Sequence, residues 1–157
     1  MLEFHSLADA AKHLTNLKLE NQHDAMEEAC LIIEHKAKEL IGTYQAEEAP
    51  FGAWPELAES TKEDRVRQGY SENEPLLRSG DMRDHIDHLA AHTIGVIGSD
   101  QEKALAQELG TARIPPRSFL GMAAMMTGEQ VANTLGRGVM GMMVGGGAGA
   151  FVKKLNP

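Results

Sequence analysis

The sequence predicts an α+β fold in which N-terminal helices pack on a small antiparallel sheet. A long central loop, a C-terminal helix and a Met/Gly-rich tail complete it. Three observations carry this expectation. Met26, Ala29, Cys30, Ile33, Ala37 and Leu40 recur at helical spacing, with Glu27, Glu28, Glu34, Lys38 and Glu39 mostly turned away from that stripe. Ile86, His88 and Ala90 alternate with Asp87 and Leu89, and Ile94 shares a face with Val96 over residues 92–97. Pro50, Gly52, Pro55, Gly69 and Pro75 break up the polar stretch between the helical and the alternating segments. A helix with one apolar stripe needs a surface to lie on, and the two strands supply it.

In chain order, Ser6 with Asp9 resembles a helix-capping box, and Leu7, Ala11 and Leu14 then share one face. The second helix is expected from Asn21 or Asp24 to Ile41, with Gly42 at its C-terminal cap. From Tyr44 to Pro75 the pattern predicts a long loop with room for one helical turn, and loops of that length are usually functional or disordered until bound. Gly80 is expected to permit a tight turn before the first strand, and Gly110 a positive φ at the end of a short helix through Ala104 to Leu109. Gly98-Ser99-Asp100 should end the second strand. Pro115 and Pro116 set an extended lead into a last helix starting near Arg117 or Ser118 and carrying Leu120, Ala123, Ala124, Val131 and Leu135. Phe119 and Leu120 are expected to plug the core. Residues 1–135 thus form one domain. Residues 136–157, rich in Gly, Met and Val, read as an arm that is mobile in the free subunit and docks on a neighbour.

Bulk properties bound the function. A chain of 157 residues can bury one core, with 42% apolar and only 4% aromatic residues, so Leu, Ile, Val, Met and Ala must build it. The one cysteine, Cys30, rules out an intrachain disulfide, and its place in the helical stripe predicts a packed, inert thiol. The first residues lack a signal-peptide pattern, and no apolar run reaches membrane-spanning length, so a soluble chain made in the cytosol is expected. The net charge of −8 is unevenly placed: residues 1–64 hold 14 acids and 5 bases (−9), the remainder 9 acids and 10 bases (+1). That distribution argues against duplex DNA binding, which needs clustered Lys and Arg. An acidic surface of this kind is a solvated helix face, or one that repels passing DNA or steers a basic neighbour.

No catalytic constellation emerges. His85, His88 and His92 would share a face on a helix and could hold zinc there, but the local pattern is strand, and no carboxylate completes a His-Glu-x-x-His motif. Gly145-Gly146-Gly147-Ala148-Gly149 lacks the Lys-Ser/Thr of a phosphate loop. No cofactor or metal is expected.

An ordered series of short motifs stands out instead. Trp54-Pro55-Glu56-Leu57 precedes Ser60-Thr61-Lys62, then Pro75-Leu76-Leu77-Arg78-Ser79-Gly80-Asp81-Met82 running on to Ile86. Ile94-Gly95-Val96-Ile97-Gly98-Ser99, Gln107-Glu108-Leu109-Gly110-Thr111 and Pro115-Pro116-Arg117-Ser118-Phe119-Leu120 follow. In this order the series resembles the neck and tail-completion proteins of tailed phages, the tail-component family, and the related virion-morphogenesis proteins of Mu-like phages. The resemblance covers residues 54–120. Lys103-Ala104 stands where the family has Tyr-Ala, and the Met/Gly tail has no counterpart.

The resemblance implies a non-enzymatic virion subunit, made in the host cytoplasm. It would join copies of itself, six by the family's implication, into a ring between the head connector or head-closure protein and the tail terminator or tail tube. DNA would pass through without specific binding, and no membrane would be involved. Head-to-tail contacts that close by rotation generate such rings. Candidate interface residues are Trp54, which either folds onto the core or anchors a contact, with Leu57, Arg117, Met140, Met142, Met143, Phe151, Lys153 and Lys154. Two rivals come from other classes: a metal-dependent hydrolase using His85, His88 and His92, and a bacterial adaptor whose long helix pairs with a partner helix.

Overall fold

The computed structural model describes residues 20–143, and the side chains of 22–140. The expected helix over Leu7 to Leu14 and the tail beyond Met143, with Phe151, Lys153 and Lys154, lie outside the described residues. The architecture is mixed α+β. Its elements are α1 (Glu20–Leu40), α2 (Glu59–Arg67), the single turn α3 (Asp81–Asp84), β1 (Ile86–Ala90), β2 (Gly95–Ser99), α4 (Glu102–Leu109) and α5 (Leu120–Met143).

Helix α1 is the centre. It packs against α5 and also against the inner face of the two-stranded sheet. Three of its buried residues, Ala29, Cys30 and Ala37, are small, so both neighbours can approach closely. At Gly95 the approach leaves no room for a side chain: a Cβ there would overlap the Cys30 sulfur and press on Met26. Gly42 ends the helix at φ +102°, and its N–H donates to the Pro75 carbonyl at 2.9 Å.

The strands pair antiparallel in the register Ile86↔Ser99, His88↔Ile97, Leu89↔Val96 and Ala90↔Gly95. Alternation in β1 is as the sequence predicts. The second strand is displaced: it begins at Gly95 rather than near His92 and includes Ser99. With Gly95 and Ile97 turned to α1, Val96 faces outward beside Leu89.

The long loop contains more structure than one turn. Helix α2 has no apolar stripe to reveal it, since Val66 is exposed. It is held instead by Lys62–Glu59 and Arg67–Asp64 pairs at i,i+3 and by buried Arg65, which donates to the carbonyls of Ser71 and Leu77. Tyr44 Oη accepts from the Leu57 N–H at 3.0 Å and donates to Asn73 at 2.6 Å, pinning the middle and the far end of the loop close to the end of α1.

Everything meets at residues 117–121. Phe119 and Met122 are fully buried and pack with Ile86, Trp54, Met82, Leu40 and Ile41. Burying a side chain of Phe119's size stabilises by roughly 1.5–3 kcal/mol. The Glu108 carboxylate accepts from the Ser118 hydroxyl at 2.5 Å and from the N–H groups of Phe119, Leu120 and Gly121 at 2.7–2.9 Å. It therefore caps α5 from another element, satisfying donors that a buried helix start would leave orphaned. Gly121 lies against the Phe51 ring, where a Cβ would come within 2.5 Å of it.

Helix α5 also corrects the division at residue 135. It continues through Gly136 to Met143 because Ala123, Thr127, Val131, Thr134 and Gly138 form a stripe of small or compact residues at helical spacing, nearly all buried. A glycine costs about 1 kcal/mol in a helix, which packing of that stripe offsets. The first eight residues of the expected arm are thus helical.

Gly80 (φ +87°) precedes α3 and Gly110 (φ +74°) follows α4, both in the region that disfavours a Cβ. At Gly110 a Cβ would also sit 2.9 Å from the Pro116 backbone nitrogen. We predict that Glu108→Ala lowers stability by about 2 kcal/mol through loss of the cap, and Gly110→Val by ~1–3 kcal/mol through strain. Urea unfolding checks both; wild-type midpoints would contradict the placement of these turns.

Candidate functional site

The three histidines do not converge. His85 ends α3, with Nδ1 2.7 Å from the Asp81 carbonyl oxygen. His92 lies exposed in the hairpin turn, edge-on to His23 with ring centroids 5.9 Å apart. His88 alone is turned inward, from β1 onto α1, where Nδ1 meets Glu34 and Nε2 meets Glu27 at 3.1 Å. Glu34 also accepts from Lys38 at 2.5 Å.

Ligand atoms of Glu34, Asp87 and His88 lie within 4.8 Å of one another, a grouping the sequence reading missed because Glu34 is 54 residues away. The chemistry of the ring favours an ion-pair network over a metal centre. Both ring nitrogens face carboxylates, so the imidazole is best held as a cation donating from each, with no lone pair left for a metal. The Glu34 hydrogen bond raises the His88 pKa above its ordinary value, against a smaller opposing effect of burial and with Glu27 adding to the rise. Burial alone would push Glu34 up, but hydrogen bonds from Lys38 and His88 outweigh it and hold the carboxyl below its ordinary range. Cys30 is buried, its pKa raised by desolvation and by Glu27, as an inert thiol requires.

Two candidate interface residues are structural. Trp54 is 5% exposed, with Nε1 3.3 Å from the Ser118 carbonyl oxygen, so it fastens the loop to the core instead of reaching for a partner. Arg117 is buried and donates to the Pro55 and Glu56 carbonyls at 2.8–3.2 Å. Leu57 is half-buried, and Pro115 and Pro116 are exposed at the approach to α5. Met140 is exposed on α5; Met142 and Met143 lie in its last turn.

The exposed apolar surface lies elsewhere. Leu89 (78% exposed) and Val96 (59%) are direct cross-strand partners on the outer face of the sheet, with Ile94 (65%) beside them at the turn. Leu105 and Leu109 are exposed on α4. A groove of about 530 Å³ runs between α1 and α5, bordered by Leu31, Ile32 and Met126 among charged residues. No helix among the described residues is long and apolar enough to cross a membrane. No family model, curated protein or solved structure matches the chain significantly.

The His88 network carries a pH dependence of definite sign. A raised histidine pKa gives stability that is present in full below the ordinary imidazole value of about 6.5 and is lost as pH rises through the raised value. The lowered Glu34 pKa gives stability present above about pH 4.3 and lost as pH falls. We predict that His88→Gln costs about 1.5–3 kcal/mol at pH 6 and less at pH 9. Thermal unfolding across pH checks this; parallel wild-type and variant curves would contradict it.

Proposed function

We propose that the chain is a structural subunit of a ring in the neck or tail-completion region of a tailed phage. It would join the head connector to the tail around a channel for DNA and turn over no substrate. The motif series over residues 54–120 suggests the class, and one structural observation supports the assembly role. A two-stranded sheet is marginal by itself, and this one turns Leu89 and Val96 outward while, among the described residues, both strands keep an open edge. Open edges and apolar side chains together suit contact with another chain. Trp54, Arg65 and Arg117 meanwhile anchor the central loop internally. The subunit thus offers a fixed body with an apolar face left uncovered by the described residues, a surface suited to be one of the two that a head-to-tail ring contact joins. On the same reading, residues beyond Met143 act as an arm on a neighbouring copy, with Lys153 and Lys154 meeting its acidic half.

Sedimentation velocity tests the assembly reading. The wild-type chain should be a monomer at low concentration and associate as concentration rises. Leu89→Asp with Val96→Asp should stay monomeric at every concentration with unchanged helix content. A concentration-independent dimer, or a double variant that associates like wild type, contradicts it. Gene order tests the phage assignment: portal, capsid and tail genes should flank the coding sequence, and a metabolic operon contradicts it.

A further inference from the structure

The least expected electrostatic feature of an acidic chain is a cavity of about 300 Å³ between the central loop, α3 and α4, at the lower end of ligand-sized cavities. Four cations line it, Arg65, Arg78, Lys103 and Arg117, and no carboxylate does. Two of the four are balanced from outside the lining. Arg78 pairs with Asp64 at 2.9 Å, and Lys103 pairs with Asp81.

The other two make no ion pair among the described residues. Arg65 and Arg117 are each 4% exposed, and their hydrogen bonds go to neutral backbone carbonyls, of Ser71 and Leu77 in one case and of Pro55 and Glu56 in the other. A buried guanidinium whose charge is uncancelled is costly. Desolvation depresses the pKa of both; for Arg65 the charge of Arg78 adds to the effect and the opposing charge of Glu74 offsets it only in part. Like charges lining one cavity favour an anion between them. The Gln107 side chain also lines the cavity, with its Oε1 buried and unpartnered among the described residues. Turned end for end, that amide offers an N–H to the same ligand.

We infer that this cavity binds a compact oxyanion, a phosphate or carboxylate group, between the buried arginines and the exposed heads of Arg78 and Lys103. Arg65 and Arg117 supply charge and a fixed wall, because the loop carbonyls already hold their orientation. Arg78 and Lys103, each nearly half exposed, stand where an incoming anion meets them first. The inference is independent of the ring reading, since a free phosphate and an acidic side chain of another copy present the same chemistry.

The test is titration of the full chain with inorganic phosphate and, separately, with succinate. Ionic strength is matched with sodium chloride, and heat of binding and melting temperature are read together. Wild type should show saturable binding and a melting temperature that rises with at least one of the two. Arg78→Gln with Lys103→Gln, which alters only exposed side chains, should bind at least tenfold more weakly while its far-ultraviolet spectrum stays unchanged. Tighter binding of phosphate identifies a phosphate group as the natural ligand, and tighter binding of succinate a carboxylate. Unsaturable effects equal to those of chloride, or a double variant that binds as tightly as wild type, overturn the inference.

Discussion

Four donors from residues 118–121 converge on the Glu108 carboxylate: the Ser118 hydroxyl and the N–H groups of Phe119, Leu120 and Gly121. A helix that starts inside a protein must find acceptors for its first N–H groups, or lose the desolvation free energy of each. Here one side chain from α4 does so, and the position it imposes is what other parts of the molecule use. Phe119 enters the core directly after the cap, the Ser118 carbonyl receives Trp54, and Arg117 holds the Pro55 and Glu56 carbonyls. The central loop is therefore fixed to the start of α5, and α5 then runs along α1.

The helices that bury a patterned stripe were legible from sequence. Helix α1 matches its Met26-to-Leu40 stripe, and the positive φ angles at Gly42, Gly80 and Gly110 match their reading as turn or cap glycines. Elements held by charge or by tertiary fit were not legible. Helix α2 relies on ion pairs and one buried arginine, which leave no periodicity. The extension of α5 past Gly136 depends on small residues fitting against α1, where composition suggests a mobile segment. In the second strand Cys30 admits only a glycine at position 95, a constraint visible only once α1 and the sheet are packed.

The site was the least legible part. Trp54 and Arg117 have the residue types of interface anchors, yet both turn inward, since a Trp in a polar loop can serve either role until its indole partner is known. The histidine of consequence, His88, is defined by Glu27 and Glu34 on another element, a pairing no local motif records. The outward pair Leu89 and Val96 follows from register, and a one-residue slip would have exchanged the two faces. Among the described residues, what remains uncovered is a small apolar sheet face on a body whose loop is internally fastened.

Backbone hydrogen exchange of the free chain, measured as concentration is raised, tests this account most directly. The amides of Phe119, Leu120 and Gly121 should be slow already at the lowest concentration, because the Glu108 cap belongs to the single subunit. The amides on the outer edges of β1 and β2, which the strand pairing does not use, should slow only as copies associate and cover the sheet. Concentration-dependent protection at residues 119–121, or strands whose exchange never changes while the chain associates, would contradict it.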